Sequence, residues 1–338
     1  MNPPLRLRLD GDALTANWRW LAGKSGAAAS GAAVKADGYG LGAPGVVARL
    51  AKAGCRDFFV ATWAEATALG AMPDGCTLSV LHGVREEDMA SAAASTARPV
   101  LNSAGQVARW RSTGRSCDVM VDTGMNRLGI SASDVAAGLI EGLQIETLMS
   151  HLACADEDSP MNARQRADFA KIEASSRRRS LANSAGICLG SEYAFDLTRP
   201  GLALYGGVPR EEASGHIAQV VFPEAQAVQC RRVEAGGTIG YGATFVATRD
   251  LDVAILNIGY ADGYLRTFSG KGTCGEGRFA VLGRVSMDLL AIDVTDANVR
   301  EGDWIGIDYA LPSAAALSGL SQYELLTGMG ERFTRSWS

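Results

Sequence analysis

The feature that most constrains the fold is an alternation of short apolar runs with longer Ala- and Glu-rich stretches of helical period, between about residues 31 and 206. Each apolar run ends in polar or glycine-rich residues. The eight runs begin at Ala32, Asp57, Thr77, Arg98, Cys117, Glu146, Ser180 and Asp196. Strands that alternate with helices indicate βαβ units and a parallel sheet. Eight such units predict a TIM-type (β/α)8 barrel rather than an open doubly wound sheet.

The pattern changes after about Val220, where helical period gives way to short alternating strands and glycine turns. These features recur in segments 224–245, 250–264, 277–294 and 302–307. They indicate a mostly antiparallel β domain. We therefore predict a barrel over residues 10–220 and a β domain over 221–338, which the N-terminal strand 1–9 joins. A length of 338 residues agrees with two domains.

Composition excludes several classes of protein. The formal net charge is −5, from 32 basic and 37 acidic residues, which gives no reason to expect nucleic acid or an anionic membrane as partner. The seven cysteines are scattered and form no C-x-x-C pair, and there are three histidines, so neither a disulfide framework nor a metal site is expected. No signal peptide is visible, and no apolar run approaches the ~18 residues of a membrane span. We expect a cytoplasmic protein.

Lys35 follows the first apolar run, within VKADGYGLGA (residues 34–43). A residue at the carboxyl end of a barrel strand faces the site that the βα loops form. Burial there lowers the pKa of an ammonium group, which suits an amine that forms a Schiff base. An ordinary lysine whose ammonium group reaches solvent would occupy the same position, and position alone leaves both interpretations open.

Seven further sequence segments form a pattern together with this lysine segment. They are VDTGMNRLGI from Val121, SHLACAD from Ser150, ANSAG from Ala182, TRPGLALYG from Thr198, IGYGATF from Ile239, IGYADGY from Ile258 and GRVSMD from Gly283. In this order and spacing, the chain resembles the alanine racemase family over nearly its whole length. The resemblance implies an isomerase that interconverts L- and D-alanine and carries pyridoxal 5′-phosphate (PLP) on Lys35.

A phosphate site is indicated by position as well as by resemblance. Barrels often bind phosphate with the loops after strands seven and eight, where Ser184, Gly201 and Leu202 lie. The resemblance implies that Ser184, the amides of Gly201 and Leu202, and the Tyr39 hydroxyl hold the phosphate. Taken alone, an N-cap serine and a turn glycine would give the same pattern. The resemblance also implies that Arg199 bonds the pyridine nitrogen, which keeps that nitrogen unprotonated and the ring a weaker electron sink.

Racemisation requires a base on each face of the substrate, and the resemblance assigns these roles to Lys35 and Tyr241. Lys35 acts on the D-enantiomer, and Tyr241 reaches from the other subunit to act on the L-enantiomer, so a homodimer with shared active sites is implied. The resemblance also implies that His151, at the cofactor, and Arg127 polarise the tyrosine hydroxyl and help bind the substrate carboxylate. It implies that the backbone amide of Met287, next to Asp288, binds that carboxylate as well. Residues that match the lining of the substrate channel are Tyr260, Arg266, Arg284 and Asp156.

Two positions depart from the family. Many relatives have a carbamylated lysine where this chain has Met120. Because methionine cannot be carbamylated, Arg127 needs a different acceptor or a bound anion such as chloride. Glu331 aligns with a tyrosine that narrows the channel and braces the catalytic tyrosine, so the resemblance implies a more acidic, differently shaped mouth of the site and a shift in substrate preference.

Three other functions remain to be compared. A serine or broad-specificity racemase would keep the chemistry and change the substrate. A PLP decarboxylase of related design is disfavoured by Tyr241 and by the VDTGMNRLG string. A non-catalytic PLP-binding protein consists of the barrel alone, and residues 223–338 argue against it.

Overall fold

A computed structural model of the chain describes residues 3–338, and the part of the predicted N-terminal strand at residues 1 and 2 lies outside it. The first strand, β1, runs over Leu5–Leu9 and is followed by helix α1 (Gly11–Lys24). The chain separates into two compact units. The barrel unit is Leu14–Ala218, and the β unit combines the chain up to Ala13 with Gln219–Ser338.

The strands of the barrel unit pair in parallel throughout. They are β2 (Ala29–Ser30), β3 (Ala32–Ala33), β4 (Asp57–Val60), β5 (Thr77–Val80), β6 (Arg98–Leu101), β7 (Cys117–Asp122), β8 (Ile130–Ser131), β9 (Ile145–Met149), β10 (Arg178–Ser180) and β11 (Leu197–Thr198). The main sheet has the order β10-β9-β7-β6-β5-β4-β3, with β8 beside β7, and β11 pairs with β2.

Backbone hydrogen bonds of β11 close this sheet into a barrel. On one side, the amide of Arg199 donates to the carbonyl of Ala182 (2.9 Å), just after β10. On the other side, the amide of Gly31, between β2 and β3, donates to the carbonyl of Thr198 (2.9 Å). With β2 and β3 forming one broken strand and β8 lying at the side, eight positions surround the axis. The predicted (β/α)8 barrel is confirmed.

The predicted strand positions are correct apart from the seventh and most of the eighth. The eighth run, DLTRPGLALYG from Asp196, is strand only at Leu197–Thr198, and Leu202–Tyr205 form a 3-10 turn instead. The sequence predicts the seventh strand from Ser180, whereas β10 ends at that residue. The difference has a local cause, because the Asn183 side chain accepts a hydrogen bond from the Gly186 amide and thereby starts a helix. Ser184 and Ala185, which follow this cap, are therefore helical.

Short helices follow the barrel strands. They are α2 (Lys35–Tyr39), α3 (Ala43–Ala53), α4 (Trp63–Leu69), α5 (Met89–Ala94), α6 (Ala104–Arg111), α7 (Ala132–Ala136), α8 (Pro160–Ala170) and α9 (Ser184–Cys188), with 3-10 turns at Ser191–Tyr193, Leu202–Tyr205 and Glu211–Ala213. Several begin at a side-chain cap; Thr62 and Glu65, for example, form a capping box at α4. Such caps fix where each helix starts after its strand.

An apolar cluster fills the barrel between its strands. Its buried members are Phe59, Val100, Met120, Met149 and Leu197, which come from β4, β6, β7, β9 and β11. Each strand points alternate side chains inward, so strands far apart in sequence contribute to one layer. The layer supports the loops at the carboxyl ends of these strands.

The β unit is an antiparallel sheet apart from one parallel pair, β1 with β20, and the predicted β domain is confirmed. Its strands are β12 (Val221–Val233), β13 (Thr238–Ile239), β14 (Phe245–Val246), β15 (Leu251–Leu256), β16 (Thr273–Cys274), β17 (Phe279–Leu282), β18 (Leu290–Asp293), β19 (Trp304–Gly306) and β20 (Thr334–Trp337). Its helices are α10 (Leu311–Ser318) and α11 (Gln322–Thr327), with 3-10 turns at Tyr241–Ala243, Tyr260–Asp262 and Arg266–Phe268. The strand order is β16-β17-β18-β15-β12-β1-β20, with β19 on β12.

Among residues 3–338, no helix combines the length and the apolar character that crossing a bilayer requires.

Candidate active site

Lys35 opens an unusual turn directly after β3. The φ angles of Ala36, Asp37, Gly38 and Tyr39 are 52°, 52°, 64° and 57°, all in the left-handed region. For residues other than glycine this conformation costs roughly 1–2 kcal/mol each. Two side-chain hydrogen bonds hold it: Glu65, from α4, accepts one from the Ala36 amide (2.8 Å), and Asp37, within the turn, accepts one from the Ala43 amide (2.8 Å). The backbone beside Lys35 is therefore fixed from two directions.

The surroundings of Lys35 favour its neutral amine. Burial lowers the pKa of Lys35, the positive charge of Arg127 lowers it further, and the carboxylate of Glu65 acts in the opposite direction. A neutral amine is the nucleophilic form of lysine. Glu65 has no place among the predicted site residues, although the T-x-x-E pattern from Thr62 that signals its capping box was readable.

Three residues predicted to hold the phosphate lie together in the barrel unit. Ser184 Oγ accepts hydrogen bonds from the amides of Gly201 (2.9 Å) and Ala203 (3.3 Å). A Cβ atom placed on Gly201 would stand 2.3 Å from the Tyr39 hydroxyl oxygen. The absence of a side chain at Gly201 therefore lets the Tyr39 hydroxyl reach this position. Tyr39 is held in turn by Tyr205, whose ring stacks on it at 4.6 Å between centroids.

The backbone amides of Gly201 and Leu202 differ in their hydrogen bonding. The Gly201 amide is already paired with Ser184 Oγ, and it leaves the serine proton available to donate. No residue within 3–338 accepts a hydrogen bond from the amide of Leu202, the fourth predicted phosphate residue. The hydroxyls and the Leu202 amide together form a cradle of donors, which is what an anion such as phosphate needs.

Arg199 is a buried cation without an ion-pair partner in the described chain. One guanidinium nitrogen donates to the Ser150 carbonyl (2.6 Å), and another donates to the Ser180 hydroxyl. Burial lowers the pKa of Arg199 to about 10, so it stays protonated at neutral pH. A buried charge that lacks a counter-ion is costly unless a ligand acceptor completes its hydrogen bonds. An aromatic nitrogen with a lone pair is such an acceptor.

His151 follows β9 and stays neutral. Its burial and the charges of Arg199, Arg127 and Lys35 lower its pKa to about 3. Its carbonyl accepts a hydrogen bond from Gln165 Nε2 (3.0 Å). Gln165, in α8, was not predicted as a site residue, and no local signal marks it.

Arg127 is exposed, and it forms no hydrogen bond or ion pair with any of residues 3–338. Met120, which stands at the position of the family lysine, is buried in the apolar cluster of the barrel. The sequence left two alternatives for Arg127, a different acceptor from the protein or a bound anion. Within the described barrel unit, no acceptor from the protein is formed. Asp156 is exposed in the loop after His151.

The remaining predicted residues belong to the β unit. Tyr241 begins a 3-10 turn between β13 and β14 and is 67% exposed. Met287 is 53% exposed in a reverse turn that the Ser286 amide closes onto the Leu289 carbonyl (2.9 Å). The predicted channel residues pack near these turns: Arg266 lies over the Tyr260 ring (5.1 Å), and Arg284 lies beside Gly242. Glu331 is exposed.

Within the described chain, no three His, Cys, Asp or Glu side chains are grouped so that they could hold a metal ion. The site is instead built of hydroxyls, amides, one lysine and two arginines. These groups can bind an anionic cofactor, hold a covalent amine link and move protons.

Comparisons with known proteins agree over the whole length. The family models for the alanine racemase N-terminal and C-terminal domains match residues 9–209 and 220–337. A biosynthetic alanine racemase from Agrobacterium fabrum is 40% identical over 99% of this chain and 94% of its own, and a catabolic one from the same organism is 39% identical over 98% and 91%. The crystal structure of alanine racemase from Bartonella henselae with covalently bound pyridoxal phosphate has a TM-score of 0.91, 33% identity and 100% coverage of both chains.

Proposed function

The chain belongs to the alanine racemase family and interconverts L- and D-alanine with PLP as cofactor, and we propose that Lys35 and Tyr241 are its two bases. The observation that carries this proposal is the turn at Lys35, where a lysine of lowered pKa lies in the same barrel mouth as the donor cradle for a phosphate. Fold alone would not support a function, whereas this combination of groups does.

The residues of the barrel unit fit PLP at three points. Lys35 provides the covalent link. Ser184, Tyr39 and the Leu202 amide donate to the phosphate, while Gly201 supplies space and, through its amide, the orientation of Ser184. Arg199 donates to the pyridine nitrogen, which supplies the acceptor that its buried charge lacks.

When bound, PLP withdraws electrons from the attached amino acid and so makes its α-proton acidic. Lys35 Nζ removes or returns that proton on one face, which is the face used for D-alanine. Tyr241 Oη does the same on the opposite face for L-alanine. To accept a proton, the Tyr241 hydroxyl must first give up its own, either to a neighbouring base or with the help of a positive charge that stabilises the phenolate.

We assign the support of the tyrosine and the substrate to His151, Arg127 and Met287. His151 is neutral at neutral pH, so its imidazole can accept a hydrogen bond from a phenol. Arg127 is a cation without a protein partner in residues 3–338, and it is available for a carboxylate. The Met287 amide supplies a neutral donor to the same carboxylate.

The working unit that we propose is a homodimer with shared active sites. Tyr241 and Met287 are exposed on the β unit, together with the apolar side chains of Val246 and Leu289. Exposed apolar groups gathered around functional residues support an interface with a second copy.

The family-model ranges also support a division into a barrel of 10–220 and a β domain of 221–338. Seven free cysteines support the proposed cytoplasmic location.

Loss of optical activity from L-alanine and, in parallel, from L-serine tests the substrate preference of purified protein with added PLP. We expect alanine to racemise fast and serine slowly. Faster loss with serine would keep the fold and the two bases but identify a serine racemase, with Glu331 the first residue to exchange for tyrosine. If neither solution loses rotation while PLP is bound, the assignment of the bases is wrong.

Gly201→Ala is expected to weaken PLP binding by about ten-fold or more. The new methyl group would overlap the Tyr39 hydroxyl, and loss of one hydrogen bond to a charged group is worth about 1.5–3 kcal/mol. Titration of the cofactor-free protein with PLP measures the change. Gly23→Ala is the matched control, because a Cβ there meets no atom within 4 Å. Equal PLP affinity in the two variants would contradict the proposed cradle.

A further inference from the structure

We propose that Arg332, near the C-terminus, is a positioning residue that fixes the backbone of the Met287 turn for the substrate carboxylate. The proposal rests on the role of the Met287 amide proposed above. It concerns the β unit alone and follows from contacts among residues 259–262, residues 286–288 and Arg332, which are distant in sequence.

Backbone hydrogen bonds join the turn at residues 259–262 to the turn at residues 286–288. The amide of Tyr260 donates to the Ser286 carbonyl (3.1 Å), and the amide of Ala261 donates to the Met287 carbonyl (3.0 Å). A Cβ on Gly259 would stand 2.3 Å from the Met287 carbonyl oxygen, so only glycine permits this approach. The position of the Met287 peptide is thus set by the turn that ends at Asp262.

The Met287 amide itself is left without a partner by this arrangement. No residue of the described chain accepts a hydrogen bond from it, although both carbonyls of the turn are bonded. Met287 is also half exposed. A donor that is held rigidly and open on one side is suited to an incoming carboxylate.

Arg332 connects both turns through their side chains. Its Nε and Nη2 donate to the two oxygens of Asp262 (2.7 and 2.8 Å), and its Nη1 donates to Asp288 Oδ1 (2.7 Å). Asp262 also accepts a hydrogen bond from the Gly259 amide (3.0 Å), which closes its own turn. One guanidinium group therefore connects Asp262, in the turn that supports Met287, with Asp288, the residue directly after Met287.

The geometry requires an arginine rather than any cation. The Asp262 side chain is fully buried, and a forked pair of donors satisfies both of its oxygens. An ammonium group offers no such planar fork and would have to choose between the two carboxylates. Arg332 is itself anchored, because β20 begins two residues later and pairs with β1.

Arg332→Lys is the first test, with Arg249→Lys as the matched control. Arg249 forms an ion pair with Asp293 in the same unit (3.0 Å) and touches neither turn. We expect KM for L-alanine to rise about five-fold or more in Arg332→Lys, with kcat within about two-fold of the parent and PLP binding unchanged. The control should keep the parent values.

Propionate, which has the carboxylate of alanine but no amine, gives a second readout. Its inhibition constant should rise in parallel with KM in Arg332→Lys, whereas inhibition by alaninol, which has the amine but no carboxylate, should not change. A purely structural role would lower kcat through loss of folded protein and leave both constants as they were. That result, or unchanged kinetics, would overturn the proposal.

Asp288→Asn decides the question if Arg332→Lys does not fold. It keeps the fork on Asp262 and removes the charge from the second contact, so a smaller rise of about two-fold in both KM and the propionate constant is expected. No change in either constant would overturn the proposal. Failure of the proposed function would show separately, as parent protein that binds PLP and does not racemise alanine.

Discussion

Tyr241→Phe is expected to lower the rate of racemisation by about 10²–10⁴-fold while PLP remains bound. The hydroxyl is the proposed proton carrier on one face of the substrate, and the phenylalanine ring keeps the shape of the side chain. Tyr241 is 67% exposed in the β unit, so the change disturbs no packed core. Optical rotation measures the rate, and absorbance of the bound cofactor measures its retention.

A two-base reaction also predicts an asymmetry in this variant. In deuterated water, Lys35 should still exchange the α-proton of D-alanine, whereas exchange from L-alanine should be lost with the hydroxyl. Tyr323→Phe, at another exposed tyrosine of the β unit, should behave as the parent protein. Equal loss of exchange from both enantiomers would contradict separate roles for the two residues.

Lys35→Ala is expected to remove activity to below about 10⁻⁴ of the parent, because the change removes a base and the covalent link together. Borohydride reduction followed by mass spectrometry should find PLP attached to the parent protein and not to the variant. Lys52→Ala, at an exposed lysine of α3, is the control and should keep both attachment and activity. Attachment of PLP to another lysine would show that Lys35 is not the linking residue.

Mixing the two inactive variants tests whether sites are shared between subunits. A dimer that contains one Lys35→Ala chain and one Tyr241→Phe chain has one site with both bases and one with neither. With random exchange, about a quarter of the parent activity should return. No recovery after verified exchange would mean that each chain supplies both of its own bases.

The arrangement of strands could be predicted because each barrel strand leaves a local pattern. Apolar runs at Asp57, Thr77, Arg98 and Cys117 became β4 to β7 at the predicted starts. The seventh strand was predicted too late in the chain, because the run from Ser180 includes residues that the Asn183 cap places in a helix. The left-handed turn after Lys35 could not be predicted, since Ala36 and Asp37 rarely adopt this conformation and one of the side chains that hold it, Glu65, comes from another segment.

Contacts between different elements account for most of what the sequence did not reveal about the site. The Tyr39–Tyr205 stack in the barrel unit and the paired hydrogen bonds of Arg332 to Asp262 in the β unit join residues far apart in the chain, and Gln165 supports His151 from the following helix. No local period records such pairs. Met120 differs from these cases, because its departure from the family was visible in the sequence. Its place in an apolar layer with Phe59 and Leu197 became apparent only in the structure.

Closure of the barrel by β11 sets the point in chain synthesis at which the proposed cofactor residues come together. A ribosome releases Lys35 early, directly after the first barrel strand, while Ser184, Arg199 and Gly201 emerge only with the last ones. Contacts between such distant segments form late, because a long loop must close first. The lysine proposed to carry PLP and the residues proposed to hold its phosphate are therefore brought together only when the last barrel strand is in place.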